Sequence, residues 1–151
     1  MNSYILPVYK SVYNEDFDHN AFNCRLKMQK MVYILQELGT SLGNYGFRWY
    51  KHGPYSQSLL DDMYIVSPNK PIIFSEDSEI NIKKLTAMMK NTYGYQQYEW
   101  AECLASLLYL KKYILSSSAN SDEIIQALVN RKPHLSNSEA NQAAYNLIAP
   151  Y

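Results

Sequence analysis

Apolar residues recur at intervals of three or four along most of the chain, the spacing of helices that bury one face. The longest regular example spans about residues 21–38. Asp18 or Asn20 is expected to cap its start, and Gly39 to end it, because glycine readily adopts the left-handed conformation found after helices. The buried stripe of this predicted helix consists of Met28, Met31, Val32, Leu35 and Leu38.

Shorter stretches with the same period predict further helices, separated by turn-forming residues. The stretch 97–115 is apolar nearly all round and is therefore expected to be the central helix. Residues 1–20 are expected to be a lead-in segment containing a short helix at 7–13. The other predicted helices span about residues 56–63, 77–89, 122–130 and 137–147, the last opened by a capping box at Ser136–Glu139.

The stretch 47–50 (Phe-Arg-Trp-Tyr) has a period of two, which predicts a short strand with its first and third residues on one face and its second and fourth on the other. Residues 72–74 are the expected second strand of a small ribbon. Glycine and proline at 53–54 break the first strand, and Ser56 is expected to cap the helix that follows. The sequence therefore predicts a rigid corner between a strand and a helix.

Composition agrees with a folded globular chain, since 47% of the 151 residues are hydrophobic and 19% are charged. This length is typical of one domain, so we predict a single globular domain covering 1–151. Its class is mainly α, with about six helices and a small two-stranded β-ribbon. The N-terminus lacks the charged and apolar regions of a signal peptide, and no apolar run reaches the length of a membrane span. A cytoplasmic protein without a membrane partner is expected.

The charge balance bears on the kind of partner. Lysine plus arginine and aspartate plus glutamate each number 14, so the formal net charge is zero. Nucleic-acid binding is possible but disfavoured, because such proteins usually carry a basic excess that contacts phosphates. The 15 tyrosines favour protein interfaces, with AT-rich codon usage as the alternative explanation. The sequence leaves open whether the chain forms a homo-oligomer.

Metal and cofactor sites are not expected. The histidines, His19, His52 and His134, are scattered along the chain without the spacing of metal ligands. The two cysteines, Cys24 and Cys103, each lie in a predicted helix and are expected to be small buried hydrophobic residues. No phosphate-binding or dinucleotide-binding motif is present.

The predicted corner carries aromatic and cationic side chains together. Tryptophan, tyrosine and arginine dominate the energetics of protein interfaces, so we assign the corner to partner binding. The competing interpretation is that Phe47 and Trp49 pack in the core while the charged residues are merely solvated. The nine residues assigned to the partner-binding surface are Arg48, Trp49, Tyr50, Lys51, His52, Gly53, Pro54, Tyr55 and Ser56.

Catalysis and DNA binding are the alternatives for the same corner. An enzyme would use His52 as base, Tyr50 or Tyr55 as acid and Ser56 as nucleophile, but no orienting partner or oxyanion site is evident. We therefore expect no catalytic residue and a non-enzymatic protein. The order of helices and strands is also similar to part of a winged helix, although the tight helix–turn–helix pair is missing.

Two motifs and the C-terminal third resemble the YwgA-like uncharacterised bacterial proteins. The first motif is RLKMQKMVYILQ at 25–36 and the second is FRWYKHGPYS at 47–56. In the C-terminal third, the matching segments are Trp100 with 104–113, then 132–136 and the helix that begins near Glu139. The resemblance covers the chain from about residue 20 to its end.

A more distant similarity links the same motifs to the SocA-like Panacea domains. This similarity implies an antitoxin or adaptor, a domain that neutralises a toxin by binding it. Tyr55 and Ser56 depart from the pattern, because Panacea domains favour apolar residues after the proline. The resulting hypothesis is an antitoxin-like or regulatory protein partner in a bacterial or phage conflict system. The alternative is a DNA-binding transcriptional regulator with a degenerate winged-helix-like element.

Overall fold

Seven α-helices and a two-stranded ribbon make up the part of the chain that the computed structural model describes, residues 4–65 and 73–151. The predicted fold class, mainly α with a minor β-ribbon, is confirmed. The helices are α1 (Ile5–Tyr13), α2 (Phe22–Leu38), α3 (Gln57–Met63), α4 (Glu76–Met88), α5 (Gln97–Tyr109), α6 (Ser121–Arg131) and α7 (Ser138–Ile148). The strands are β1 (Arg48–Tyr50) and β2 (Gly53–Tyr55).

Helix α5 is the centre of the fold, as its apolar sequence predicts. It packs against α2, α6, α7 and β2, and continues as a π-helical turn over Leu110–Ile114. Trp100 is fully buried, and its indole Nε1 donates a hydrogen bond to the carbonyl oxygen of Met88 at 2.8 Å. A helix surrounded in this way must be apolar on most faces, so any charged residue along it needs a partner.

The expected lead-in segment 1–20 takes part in the core. It contains α1, which packs on α4 and α2. The buried residues of α1 are Ile5, Val8, Tyr9, Val12 and Tyr13. The Tyr13 hydroxyl donates to the carbonyl oxygen of Lys27 at 2.9 Å, which ties α1 to α2. Helix α1 is therefore part of the folded unit.

The predicted partner strand at 72–74 is wrong. Strand β1 pairs in antiparallel register with β2, so that Arg48 lies opposite Tyr55 and Tyr50 opposite Gly53. Residues 73 and 74 lie in no strand, and residue 72 is outside the described residues. A two-residue turn closes at low entropic cost, so the nearest segment along the chain pairs first. Proline at position 54 is tolerated because a two-stranded ribbon has only edge strands.

Helix ends follow the predicted chemistry in part. Gly39 ends α2 with φ +108°, and its amide donates to α2 carbonyl oxygens, as expected. The predicted caps Asp18 and Asn20 do not cap α2, because Ala21 occupies the capping position and offers no side-chain acceptor. Among the described residues, no helix combines the length and the apolarity needed to cross a membrane.

Candidate functional site

The ribbon reverses direction within two residues, Lys51 and His52. The left-handed backbone that this turn requires falls on Gly53, with φ +85°. Gly53 also lies directly against α5, where an added Cβ would overlap Ser106 Oγ and lie 3.4 Å from Ser106 Cβ. Glycine satisfies both demands, because it has no Cβ and no penalty at positive φ.

Two polar side chains of α2 form hydrogen bonds to the backbone of the ribbon and of the residue that follows it. The Gln29 amide forms a closed pair with the backbone of Ser56, donating to its carbonyl oxygen and accepting from its N–H, both at 2.9 Å. Lys30 is only 1% exposed, and its Nζ donates to the carbonyl oxygen of Pro54 at 2.7 Å. Both bonds lie in the interior, where lost partners are costly, so the ribbon has a fixed position on α2.

A third polar side chain, from outside α2, forms hydrogen bonds to the turn. Lys132 follows α6, and its Nζ donates to the carbonyl oxygens of Tyr50, at 3.0 Å, and of Lys51. The same ammonium lies 5.1 Å from the centre of the Trp49 ring. Lys132 thus connects the ribbon to the C-terminal third of the chain.

The corner separates the nine assigned residues into three groups. Arg48, Tyr50 and Lys51 are exposed, whereas Trp49, His52 and Tyr55 are half-buried. The buried group is Gly53, Pro54 and Ser56. This last group shapes the corner but is not available to a partner. Phe47 and Trp49 pack against the core, as the competing interpretation expects, which leaves Trp49 only partly available to a partner.

A groove lies between the ribbon and the N-terminal half of α2. It has a volume of about 400 Å³, and Phe22 and Tyr50 beside it are 50% and 52% exposed. Its charged lining is cationic, from Arg25 and Lys51 at the surface and Lys30 beneath, with no carboxylate among the described lining residues. We call it the ribbon groove, and it is lined by Phe22, Arg25, Leu26, Gln29, Lys30, Tyr50, Lys51, His52, Tyr55 and Leu60.

A larger depression of about 710 Å³ lies between residues 115–119 and α6, far along the chain from the ribbon. Serine, acidic and amide side chains dominate its lining, with no aromatic residue among the described ones. Aromatic side chains provide most of the energy at binding surfaces, so the ribbon groove is the better candidate despite its smaller volume.

Ser56, the candidate nucleophile of the catalytic alternative, is buried at the corner. Ser56 is 1% exposed, and its Oγ accepts a hydrogen bond from the Leu59 N–H at 3.3 Å, which makes it the predicted cap of α3. His52 is directed instead at Glu102 of α5, with Nδ1 at 3.6 Å from Oε1. A base and nucleophile that contact different partners do not form the dyad that the catalytic alternative requires.

Glu102 joins two histidines that are far apart in sequence. Its carboxylate is 2% exposed, and Oε2 lies 3.1 Å from Nε2 of His134. With His52 on the other oxygen, the three residues form a group that we call the His52–Glu102–His134 cluster. The prediction of no metal site depended on histidine spacing along the chain, and the fold removes that basis for two of the three.

Burial and neighbouring charges shift the titration of the cationic groups. Burial lowers the pKa of Lys30 to about 7, while the Glu102 carboxylate opposes this and the Lys132 ammonium adds to it. Burial also lowers the pKa of Lys132, again against the attraction of Glu102. For His52, burial lowers the pKa, with Glu102 opposing. The carboxylate thus lies within the electrostatic reach of three basic side chains.

The sequence does not assign Gln29, Lys30 or Glu102 to the site. Gln29 and Lys30 lie in a family-like motif, and their helical neighbours Leu26 and Tyr33 are the signal that they face inward. Glu102 showed a similar signal as a charge within a helix apolar nearly all round. The meeting of Glu102 with His134, 32 residues away, has no local signal and depends on the packing of α5.

Comparison with known proteins adds no relative. No protein-family model, no curated protein and no solved structure matches the chain significantly. The functional conclusions below therefore depend on the geometry of the ribbon groove and its surroundings.

Proposed function

We propose that this protein is a non-enzymatic protein-binding domain that uses the ribbon groove to hold an acidic, partly apolar segment of its partner. The observation that carries the proposal is the groove itself, which combines exposed aromatic rings with a cationic lining on a rigid support. Aromatic residues supply contact area at little entropic cost, and the lysine and arginine select for carboxylates.

The support beneath the groove favours binding without rearrangement. Gln29, Lys30 and Lys132 fix the ribbon by hydrogen bonds to its backbone, so Tyr50 and Lys51 are presented in one arrangement. A preorganised surface loses less conformational entropy on association than a mobile one. The Tyr50 and Tyr55 rings, 5.3 Å apart, give this surface a flat aromatic area.

Resemblance to the YwgA-like and SocA-like Panacea proteins supports a biological role for such a surface. We propose that the partner is a toxin or effector of a bacterial or phage conflict system, which the chain neutralises or regulates. The motif at 47–56 that carries this resemblance also builds the ribbon. We further propose a cytoplasmic location, where such a partner would act.

The test is co-purification with the protein encoded beside its gene, and rescue of growth when that neighbour is toxic. Phe22→Ala and Tyr50→Ala are expected to reduce capture at least tenfold, the usual effect of losing interface anchors. Lys51→Glu is expected to weaken capture and to make it less sensitive to salt. Tyr113→Ala is the matched control, because Tyr113 is 57% exposed but lies outside the groove.

Two outcomes would contradict the proposal. One is capture that all three groove variants retain at the strength of the unaltered protein. The other is a mobility shift with DNA that falls steeply with salt and is lost in Lys51→Glu, which would favour the DNA-binding regulator instead. The seven-residue α3 and the absence of a tight helix–turn–helix pair around it among the described residues argue against that regulator.

A further inference from the structure

We propose that the His52–Glu102–His134 cluster binds a divalent transition-metal ion of the Zn²⁺ type. The cluster goes beyond protein binding, since it would hold an ion whether or not a partner occupies the groove. Its members come from the ribbon turn, the middle of α5 and the segment between α6 and α7. One ligand atom from each residue lies within 4.8 Å of the other two.

The separations suit one shared ion. Neighbouring ligands of a tetrahedral Zn²⁺ with bonds of 2.0–2.2 Å lie about 3.3 Å apart. The two Glu102 oxygens each face one imidazole at a distance close to that value: Oε2 lies 3.1 Å from Nε2 of His134, and Oε1 lies 3.6 Å from Nδ1 of His52. The remaining His52–His134 pair lies within 4.8 Å, so its ligand atoms need to close by at most about 1.5 Å. Small rotations of the two rings supply that distance.

The cluster combines one fixed side chain with two that can move, as a metal site requires. The Glu102 side chain is 2% exposed in the middle of α5, so it provides a fixed ligand. The side chains of His52 and His134 are 43% and 47% exposed, so both can turn toward an ion without disturbing the core. An ion would then join the ribbon to the segment after α6 across the surface of α5.

The ligand types point to the class of metal. Two imidazole nitrogens and one carboxylate oxygen are the donors of catalytic zinc sites and of non-haem Fe²⁺ sites, whereas Mg²⁺ and Ca²⁺ prefer oxygen alone. Three protein ligands leave at least one position for water or another ligand. Because His52 also lines the ribbon groove, that position is near the groove.

The nearby lysines are the main opposing effect. Lys30 and Lys132 both interact electrostatically with Glu102, and their charge repels a cation. Each ammonium, however, donates its hydrogen bonds to ribbon carbonyl oxygens: Lys30 to Pro54 and Lys132 to Tyr50 and Lys51. The oxygens of Glu102 are thus left to the two imidazoles. The repulsion lowers affinity without occupying the ligand atoms.

A simpler explanation is that the histidines only satisfy a buried carboxylate. Burial of a carboxylate is costly unless it is paired and hydrogen-bonded, so two imidazoles have structural value without any ion. The two explanations differ in what zinc does to the folded protein. A structural cluster is indifferent to zinc, whereas a metal site binds it and is stabilised.

The experiment titrates metal-free protein, with any affinity tag removed, with Zn²⁺ in competition with a chromophoric chelator. One ion per chain is expected, together with a rise in thermal midpoint. His52→Ala and His134→Ala are each expected to weaken binding by about 100-fold or more, since even outer-shell changes cost 10–100-fold. Glu102→Gln keeps the volume of the side chain and is expected to weaken binding similarly.

The third histidine provides the matched control. His19 contacts the Tyr64 ring at a steep angle and lies outside the cluster, so His19→Ala is expected to bind zinc like the unaltered protein. Visible absorption of the Co²⁺ form should show the intense bands of a low-coordinate site in this control and lose them in His134→Ala. Absence of zinc uptake by the unaltered protein would overturn the proposal, and so would affinities in His52→Ala and His134→Ala that equal its affinity.

Discussion

Lys30 occupies an unusual place for a charged residue, because its side chain is 1% exposed beneath the ribbon. Its one strong partner is the carbonyl oxygen of Pro54, and the Glu102 carboxylate attracts it from α5. An ammonium in such a place is costly unless it loses its proton or is well paired. Lys30 therefore links the stability of the protein to pH.

We predict that the free energy of unfolding rises with pH between about 7 and 9.5. Lys30 has a pKa lowered to about 7, whereas an unfolded lysine titrates near 10.4. Between these values the unfolded chain binds a proton that the folded protein does not, so stability rises by up to about 1.4 kcal/mol per pH unit. Urea unfolding at several pH values, in the presence of a chelator, measures this slope.

Lys30→Met is the comparison that isolates the effect. The variant keeps an unbranched side chain but cannot titrate, so its slope over the same range should be smaller. Lys132, whose pKa burial also lowers, contributes with the same sign in both proteins and cancels in the comparison. Equal slopes in the two proteins would show that Lys30 stays protonated in the folded state.

Single residues also show the limit of what the sequence reveals about the site. Lys30 and Glu102 could be recognised as charges in apolar surroundings, because Leu26, Tyr33 and Ile34 are the helical neighbours of Lys30 and the sequence of α5 is apolar nearly all round Glu102. The identity of their partners could not be recognised, since Pro54 and His134 reach them only through tertiary packing. Periodicity predicts which face is buried but carries no information about what lies opposite.

The ribbon is the element on which both proposals depend, and its docking on α5 is unusually close. Gly53 faces Ser106, whose Oγ has no hydrogen-bond partner among the described residues and lies in the space that a Cβ would occupy. The backbone of the ribbon at Gly53 therefore lies directly against α5. This close contact brings His52, which precedes Gly53 in the chain, within reach of Glu102.

We predict that Gly53→Ala lowers the free energy of unfolding by about 2–4 kcal/mol, combining strain at positive φ with overlap in a packed core. Gly46→Ala is the matched control, because nothing lies within 4 Å of a Cβ added there. Its expected change is within about 0.5 kcal/mol. Chemical denaturation of both variants measures the difference.

A double variant separates the two causes. Ser106→Ala removes the overlapping Oγ, so Gly53→Ala with Ser106→Ala should recover part of the loss but not the strain at φ +85°. Full recovery would mean that the backbone strain is negligible. An undiminished loss would mean that the overlap with Ser106 does not matter.

The sequence predicts the long helices better than the second strand, for a physical reason. Helices α2 and α5 follow from long periodic stretches: α2 begins at 22, one residue after the predicted 21, and α5 begins at the predicted 97, with a π-helical turn in place of its last predicted residues. The second strand did not, because Gly53 and Pro54 are poor strand residues and pattern alone marked them as a break. A hairpin this short depends on turn geometry and on its support by Gln29 and Lys30 rather than on strand propensity.

The whole molecule depends on its N-terminal segment more than the sequence indicates. Residues 1–20 are rich in polar and acidic residues near 14–18, which is why they resemble a lead-in. Helix α1 nevertheless covers α4 and α2, and Tyr9 donates to Glu15 at 2.6 Å while Glu15 pairs with Lys27 at 2.9 Å. These contacts connect the segment to the same helix that supports the ribbon.

We predict that removal of residues 1–20 abolishes cooperative folding. Five buried side chains of α1 would be lost, each contributing about 1.5–3 kcal/mol by burial, or roughly 8–15 kcal/mol in total. The total is comparable to the whole stability of an ordinary domain, about 5–15 kcal/mol. Val8→Ala is the milder control, expected to cost about 2 kcal/mol and to keep a single transition. A truncated chain that still unfolds cooperatively, at a similar urea concentration, would show that the core of α2 and α5 is sufficient without α1.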